Sequence, residues 1–524
     1  MDNTRNRKIV DEIEILPESM NNNENIRVKP KLSLQDKQSI CVLTFLYILQ
    51  GIPLGLAGSV PLMLQSKKVS YSTQATFSFV FWPFSLKILW APIVDSMYSS
   101  KFGRRKTWLV PCQYLIGLTM FYVSFNAQKW LSGDIEILKL TSAFFLLNFL
   151  AATQDIAVDG WALTMLSKTS VGWASTCNSV GQTVGYFIAF IIFLALESSE
   201  FCNNWLRSIP ASTGLVTFDG FLYFWGIIFI ITTTFVMLFK REKPAGDSVL
   251  SHGDNKENGE EITMGLLKTY QTLWKIVKLK PILMYVAILM SIKVGFSATD
   301  SITGLKLIEK GVSKEKMAFI GSMIVPVQIL LAIVVSKYTT GAAPLNVFIK
   351  AAIPRLLYGP LFCLLIYITP WFQQIDGSYS YSYYAMLTVF YSSHQIFVYP
   401  MFVSLMAFYA RISDPNVGGT YMTLLNTVTN LASNIPSTIM LYLVDHLTTK
   451  TCKGGPHSGI SCSSKENFGF CTNSNPKGIC EITFDGYYVE VLVCTIIGFI
   501  AVFAKRHYLY HIQSLPMKAW LISK

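Results

Sequence analysis

Charge is scarce in this chain. Only 14% of its 524 residues are Asp, Glu, Lys or Arg, against roughly 25% in an ordinary soluble protein. With 52% hydrophobic and 14% aromatic residues, that shortage excludes a soluble multidomain enzyme and argues for a polytopic membrane protein. Evenly alternating ten-residue segments are missing, so an outer-membrane barrel is excluded. No Gly-rich phosphate loop or nucleotide-hydrolysis motif occurs, which argues against ATP-driven transport. No Asn-x-Ser/Thr sequon occurs either, so glycosylation gives no guide to topology. A cleavable signal peptide is not expected: residues 1–37 are polar, lack an early apolar run and read as a disordered cytosolic tail. Within them, Asp11-Glu12-Ile13-Glu14-Ile15-Leu16 faintly resembles an acidic dileucine sorting signal, although chance in a disordered tail accounts for it better.

What is present is a series of about twelve apolar spans, each near the 20 residues that cross a bilayer as a helix. They fall at 38–63, 73–97, 107–127, 140–166, 172–196, 219–239, 281–301, 317–339, 348–370, 382–409, 418–445 and 487–504. A polar stretch at 240–280 separates six from six, and its run Pro244–Glu261 reads as a flexible linker. The expected fold is therefore all-α, a major facilitator fold of two six-helix bundles, 38–239 and 281–504, with a substrate site between them. With both termini placed in the cytosol, Lys and Arg divide about two to one in favour of the cytosolic loops and tails. The net charge of +12 then needs no nucleic acid partner. Residues 505–524 read as a second cytosolic tail.

Four of the ten cysteines, Cys452, Cys462, Cys471 and Cys480, cluster in the polar loop 446–486 on the opposite side. They read as two disulfides with three pairings open. A four-cysteine zinc site is disfavoured because no CxxC pair occurs. Cys202 lies in another loop on that side, as a free thiol or a further partner. No metal or cofactor is expected.

A few charged and polar residues stand inside or at the ends of spans, where a charge costs about 2.5–3.5 kcal/mol on insertion scales. Asp95 closes the second span and is followed by Gly103-Arg104-Arg105, a candidate gate in which a helix-end carboxylate pairs with a basic loop. The bland reading is a helix end beside a positive loop. In the fourth span Asp155 and Asp159 lie on one helical face, four residues apart and next to Gln154. They are either a coupling or gating site or a structurally satisfied pair. Lys293 and Asp300 share a face of the seventh span, but seven residues of rise make a direct pair strained, so Lys293 is expected to meet another helix or an anionic substrate. Lys87 and Arg355 complete the intramembrane cations, Arg355 with the option of snorkelling to the surface. His394 and Gln395 in the tenth span, and Tyr421 with the stripe Asn426, Asn430 and Asn434 in the eleventh, are further substrate-lining candidates. Each has a plain hydrogen-bonding alternative. Gly51, Gly55 and Gly58, with Pro53 and Pro61, suggest a bent, closely packed first span, and Gly181 and Gly185 a contact face on the fifth.

The segments Leu49–Ser59, Phe77–Asp95, Phe102–Trp108, Ala151–Leu166, Ser175–Tyr186, Gly295–Leu307 and Gly418–Asn426 resemble the acetyl-coenzyme A transporter family of the endoplasmic reticulum membrane. Thr153–Asp159 is also similar to bacterial muropeptide permeases. The resemblance implies a non-enzymatic carrier that imports acetyl-CoA from the cytosol into the lumen for lumenal acetylation, with CoA as a candidate counter-substrate. It implies location in the endoplasmic reticulum membrane among lipids, and leaves homodimerisation open. Transport of another large anion, such as glutathione disulfide or a muropeptide-like solute, is the runner-up. A membrane acetyltransferase comes third, because nothing around His394 forms a catalytic constellation.

Overall fold

The computed structural model describes residues 33–99, 102–133, 135–167, 173–240, 242, 266–339, 343–412, 418–462, 465–472 and 478–520. The dileucine-like segment, most of the N-terminal tail and the run Pro244–Glu261 lie outside the described residues.

The helices are α1 (Leu34–Ser66), α2 (Tyr71–Ser78), α3 (Trp82–Leu86), α4 (Ala91–Ser96), α5 (Lys106–Leu131), α6 (Ile137–Met165), α7 (Trp173–Phe187), α8 (Phe193–Glu197), α9 (Ser199–Trp205) and α10 (Phe218–Phe239) in the first half. The second half holds α11 (Leu266–Val277), α12 (Lys280–Glu309), α13 (Lys314–Thr339), α14 (Leu345–Ile368), α15 (Tyr381–Ile412), α16 (Gly418–Leu447), α17 (Lys465–Thr472) and α18 (Gly486–Ser514). Among the described residues, eight helices are long and apolar enough to cross a membrane by composition alone. The long helices α13, α15 and α16, and the broken run α2–α4, bring the spans to twelve.

The break in the second span has a local cause. Proline lacks an N–H and its ring collides with the carbonyl four residues back. Pro83 and Pro92 stand at the starts of α3 and α4, and the positions four back, Phe79 and Ile88, fall in the 3-10 turns Phe79–Phe81 and Lys87–Leu89. Lys87 therefore sits at a discontinuity. By contrast α1 runs unbroken through Pro53 and Pro61. It packs on α7 through facing glycines: a Cβ on Gly185 would lie 2.1 Å from the Ile48 carbonyl oxygen, and one on Gly51 2.8 Å from the Gly185 Cα. Close backbone approach is how membrane helices gain contact without a hydrophobic driving force.

Each half has its own apolar core. Leu49, Ile52, Ile116, Phe144, Phe193 and Phe229 belong to the first; Tyr285, Ile292, Phe296, Phe348, Leu356 and Phe408 to the second. Two boundaries differ from the sequence expectation. α11 lies inside the stretch read as linker, with Ile276 buried in the second core. The last helix continues to Ser514, and Leu509, Ile512 and Trp520 pack into the same core, so much of the expected C-terminal tail is docked. Hydropathy stops short at Lys505-Arg506, whereas the helix and its apolar stripe do not.

A two-stranded antiparallel hairpin, β1 (Thr449–Lys453) and β2 (Ile479–Phe484), organises the cysteine loop and sets Cys452 opposite Cys480. The disulfides are Cys452–Cys471 and Cys462–Cys480. Gly478 leaves room for them, since a Cβ there would lie 2.6 Å from the Cys452 sulfur. Cys202 is a buried free thiol that donates to the Leu196 carbonyl.

Candidate transport pathway and gates

In the first half the two carboxylates of α6 are held by its neighbours. Asp155 forms an ion pair with Lys87 and accepts from Gln50 Nε2 at 2.6 Å. Asp159 accepts from the Tyr47 hydroxyl at 2.7 Å and from Asn178 Nδ2 at 3.0 Å. Asp155 is buried and Asp159 exposed. Gln154, fully buried, donates to the Leu46 carbonyl at 3.3 Å. Asp155 and Lys87 thus satisfy each other, and both candidates are brought into one polar cluster with Gln50 and Tyr47, which the sequence reading did not single out.

The basic loop after the second span closes on the ends of α6 and α10. The Arg105 guanidinium lies so close to Gly160 that a Cβ there would come within 2.2 Å of Cζ. Arg104 stacks over the Tyr98 ring, 5.6 Å from its centroid. The Glu242 carboxylate accepts from the backbone N–H groups of Arg105 and Lys106, at the N-terminus of α5. An anion is favoured there by the helix dipole. Lys106 Nζ donates to the carbonyls of Met237 and Lys240 at the end of α10. Gly103, at φ +105°, is required twice: by its backbone angle, and because a Cβ would meet Glu242 at 2.4 Å. Asp95 lies on α4; its side chain is outside the described residues.

In the second half Asp300 pairs with Arg355, Nη2 to Oδ2 at 2.7 Å. Arg355 is buried and stacks on Phe296, 4.2 Å from the ring centroid. It does not snorkel: the partner carboxylate and the aromatic face hold it inside. Lys293, two helical turns from Asp300, donates to the Ser433 hydroxyl at 2.9 Å. It forms no ion pair among the described residues.

The remaining candidates are more scattered. His394 is buried between Tyr358 and Phe362, with centroids 5.1 and 5.2 Å away. Gln395 accepts from Gln328 Nε2 at 3.3 Å. Tyr421 donates to the Trp520 carbonyl at 3.2 Å and so anchors the C-terminal turn. Asn426 is half-buried on α16.

The two halves meet most fully on the cysteine-loop side. Tyr71 donates to Glu309 at 2.5 Å, Ser72 N–H to Asp445 at 2.7 Å, and the hydroxyls of Ser78 and Thr438 lie 2.7 Å apart. Asn434 donates to Ser85 at 2.8 Å, and Lys314 pairs with Glu197 at 2.7 Å. An apolar cluster joins Tyr71 and Ala75 of α2 to Ile302, Leu305, Leu441 and Val444. Behind Tyr71 the buried Lys306 is paired with Glu309 and Asp485 at 3.0 and 2.7 Å. This seal was not legible in the sequence, because Lys306 and Glu309 looked like loop residues past the apolar run. A cavity of about 260 Å³ lies between the halves just inside the seal, lined by Pro61, Gln74, Ser78 and Phe81 on one wall and Asp300, Ser301 and Asn434 on the other. Towards the basic-loop side, Asp159 and Asn430 are exposed although they lie well within their helices. Intramembrane polar side chains are placed where they face a water-accessible path.

The family described as acetyl-coenzyme A transporter 1 matches residues 39–522. An uncharacterized protein of Schizosaccharomyces pombe is 35% identical over 500 residues, covering 94% of this chain and 91% of its own. An uncharacterized membrane protein of Saccharomyces cerevisiae is 32% identical, with 94% and 99% covered. The anhydromuropeptide permease of Escherichia coli K12 is 26% identical over 149 residues, 28% of this chain and 29% of its own. Among solved structures, a bacterial homologue of the human lysosomal transporter Spinster, inward-facing and unoccupied, has a TM-score of 0.55 at 14% identity, covering 94% of this chain and 100% of its own. The nucleoside transporter NupG has a TM-score of 0.58 at 11% identity, with 91% and 99% covered. These likenesses establish the major facilitator fold.

Proposed function

Because the chain belongs to the acetyl-coenzyme A transporter 1 family, we propose that it carries acetyl-CoA from the cytosol into the endoplasmic reticulum lumen, by alternating access of its two halves. Family and fold make it a multi-pass membrane transporter and not an enzyme. The observation that carries the substrate reading on this chain's own residues is Lys293, an intramembrane cation whose described partner is a neutral hydroxyl. Acetyl-CoA brings a diphosphate and a phosphomonoester, the latter contributing about −1.5 to −2 charges at neutral pH. A lysine whose charge is not already met by a carboxylate is what such a ligand needs. Lys87 is committed to Asp155 and is the poorer candidate.

The orientation follows the same logic. The basic loop Gly103–Lys106 faces the cytosol under the positive-inside rule. The doubly bridged cysteine loop then faces the lumen, where disulfides persist. With the seal on the lumenal side, substrate would reach the centre from the cytosol.

The test is uptake by the purified protein in liposomes, with acetyl-CoA labelled separately in the acetyl group and in the CoA moiety. Equal uptake of both labels supports the proposal. Internal acetyl label without CoA label would identify an acetyltransferase. No acetyl-CoA binding, with uptake of glutathione disulfide, would move the substrate to another large anion.

A further inference from the structure

Three cations inside the C-terminal half, Lys306, Lys293 and Arg355, differ in how their charge is met among the described residues. Lys306 has two carboxylates, Glu309 and Asp485. Lys293 has the Ser433 hydroxyl. Arg355 has one carboxylate, Asp300, and its buried Nε has no hydrogen-bond partner among the described residues. The members of that last pair are unequal in exposure. The Arg355 side chain is 8% exposed, fixed from behind by Phe296 and by Met401 Sδ at 3.7 Å. The Asp300 side chain is 42% exposed and lines the central cavity. The anion lines the cavity, and the cation lies packed behind it.

We propose that Asp300 is an internal stand-in for a substrate phosphate: a phosphoryl oxyanion entering the cavity displaces the Asp300 carboxylate from Arg355, while Lys293 meets the ligand's further charge. The acetyl-CoA reading supplies the identity of the phosphate carrier, and the exchange deepens it. Guanidinium forks take carboxylate and phosphate oxygens with the same planar, charge-assisted geometry. A carboxylate on the exposed side can turn to water when displaced, and the packed guanidinium stays in place to receive the newcomer. The returning carboxylate then competes with the phosphate, which limits affinity and promotes release. A carrier needs that, because binding that is too tight slows turnover.

The deciding variant is Asp300→Asn, which keeps the shape and removes the competing charge. Acetyl-CoA should bind this variant about tenfold more tightly than wild type, within the range of ordinary coupling energies between sites. Its uptake rate at saturating substrate should fall, and Asp300→Glu should restore both values. A merely structural Asp300 would give the opposite sign, with weaker binding and lower thermal stability. Weaker or unchanged binding by a folded Asp300→Asn protein therefore overturns the exchange. Should wild-type protein bind no acetyl-CoA at all, the substrate reading falls, and the exchange is read with inorganic pyrophosphate. Tighter pyrophosphate binding by Asp300→Asn sustains it, and equal or weaker binding overturns it.

Discussion

Lys87, at the proline-induced break of the second span, and Asp155, in α6, form an ion pair between residues 68 apart in sequence. Gln50 takes the other carboxylate oxygen, so the first half meets its own central charge internally. The second half leaves Lys293 without a carboxylate. The two halves share a fold but not an arrangement of charge: the lysine of the first has a carboxylate partner, and Lys293 of the second has a hydroxyl.

If Lys87 and Asp155 act as one unit, their single and double substitutions will not add. Removing one partner of a buried pair strands a charge and costs about 3–5 kcal/mol, whereas replacing both by apolar groups is often close to neutral. Lys87→Met and Asp155→Leu should each lower the thermal midpoint of the detergent-solubilised protein markedly. The double variant should lie closer to wild type than either. A double variant whose loss equals the sum of the singles would show the two residues to be independent.

How far this was legible in the sequence depends on the length scale of each signal. Twelve spans and two halves follow from hydropathy, because the bilayer imposes a length of about 20 apolar residues on each helix. The paired cysteines could be counted, but their partners could not be chosen: the strand register sets Cys452 opposite Cys480, yet the bridges run from Cys452 to Cys471 and from Cys462 to Cys480. Asp300 and Arg355 were both visible as intramembrane charges, yet their pairing spans two helices and 55 positions, which no local periodicity encodes. The seal on the cysteine-loop side was missed for a different reason. Lys306 lies where hydropathy has already fallen, and only packing against Tyr71 and Asp485 shows it to be interior.

Lys293→Ala should raise the KM for acetyl-CoA uptake at least about tenfold, since charge-assisted hydrogen bonds to an ionised partner are worth around 1.5–3 kcal/mol. Ser433→Ala removes the hydroxyl that receives this lysine and leaves its charge, so it should change KM far less. Concentration-dependent uptake by the two variants at matched expression checks this. Wild-type kinetics for Lys293→Ala would take the lysine out of the pathway.

The cysteine loop should depend on both bridges. Each closes a loop of 18 or 19 positions, for which chain entropy predicts roughly 3 kcal/mol of stabilisation of the loop fold. Cys452→Ser should leave Cys471 as a new reactive thiol and loosen β1 from α17. Thiol counting under denaturing conditions, before and after reduction, should show four additional thiols in wild type and two in the Cys452→Ser/Cys471→Ser variant. Equal counts before and after reduction would mean that the bridges do not form in the purified protein.

The seal itself can be trapped. The hydroxyls of Ser78, on α2, and Thr438, on α16, lie 2.7 Å apart across the two halves, on the cysteine-loop side of the cavity. Side chains that close belong to backbones able to accept a disulfide when their Cα atoms are about 4.4–6.8 Å apart. A Ser78→Cys/Thr438→Cys double variant, oxidised in proteoliposomes, should lose uptake and still bind acetyl-CoA from the basic-loop side. Mild reduction should restore transport. Wild type under the same reductant controls for the loop bridges, and each single variant controls for the substitution. Alternating access requires α2 and α16 to separate at this level in every cycle. A fully cross-linked protein that transports at the wild-type rate would mean that the seal never opens, and that substrate leaves by another route.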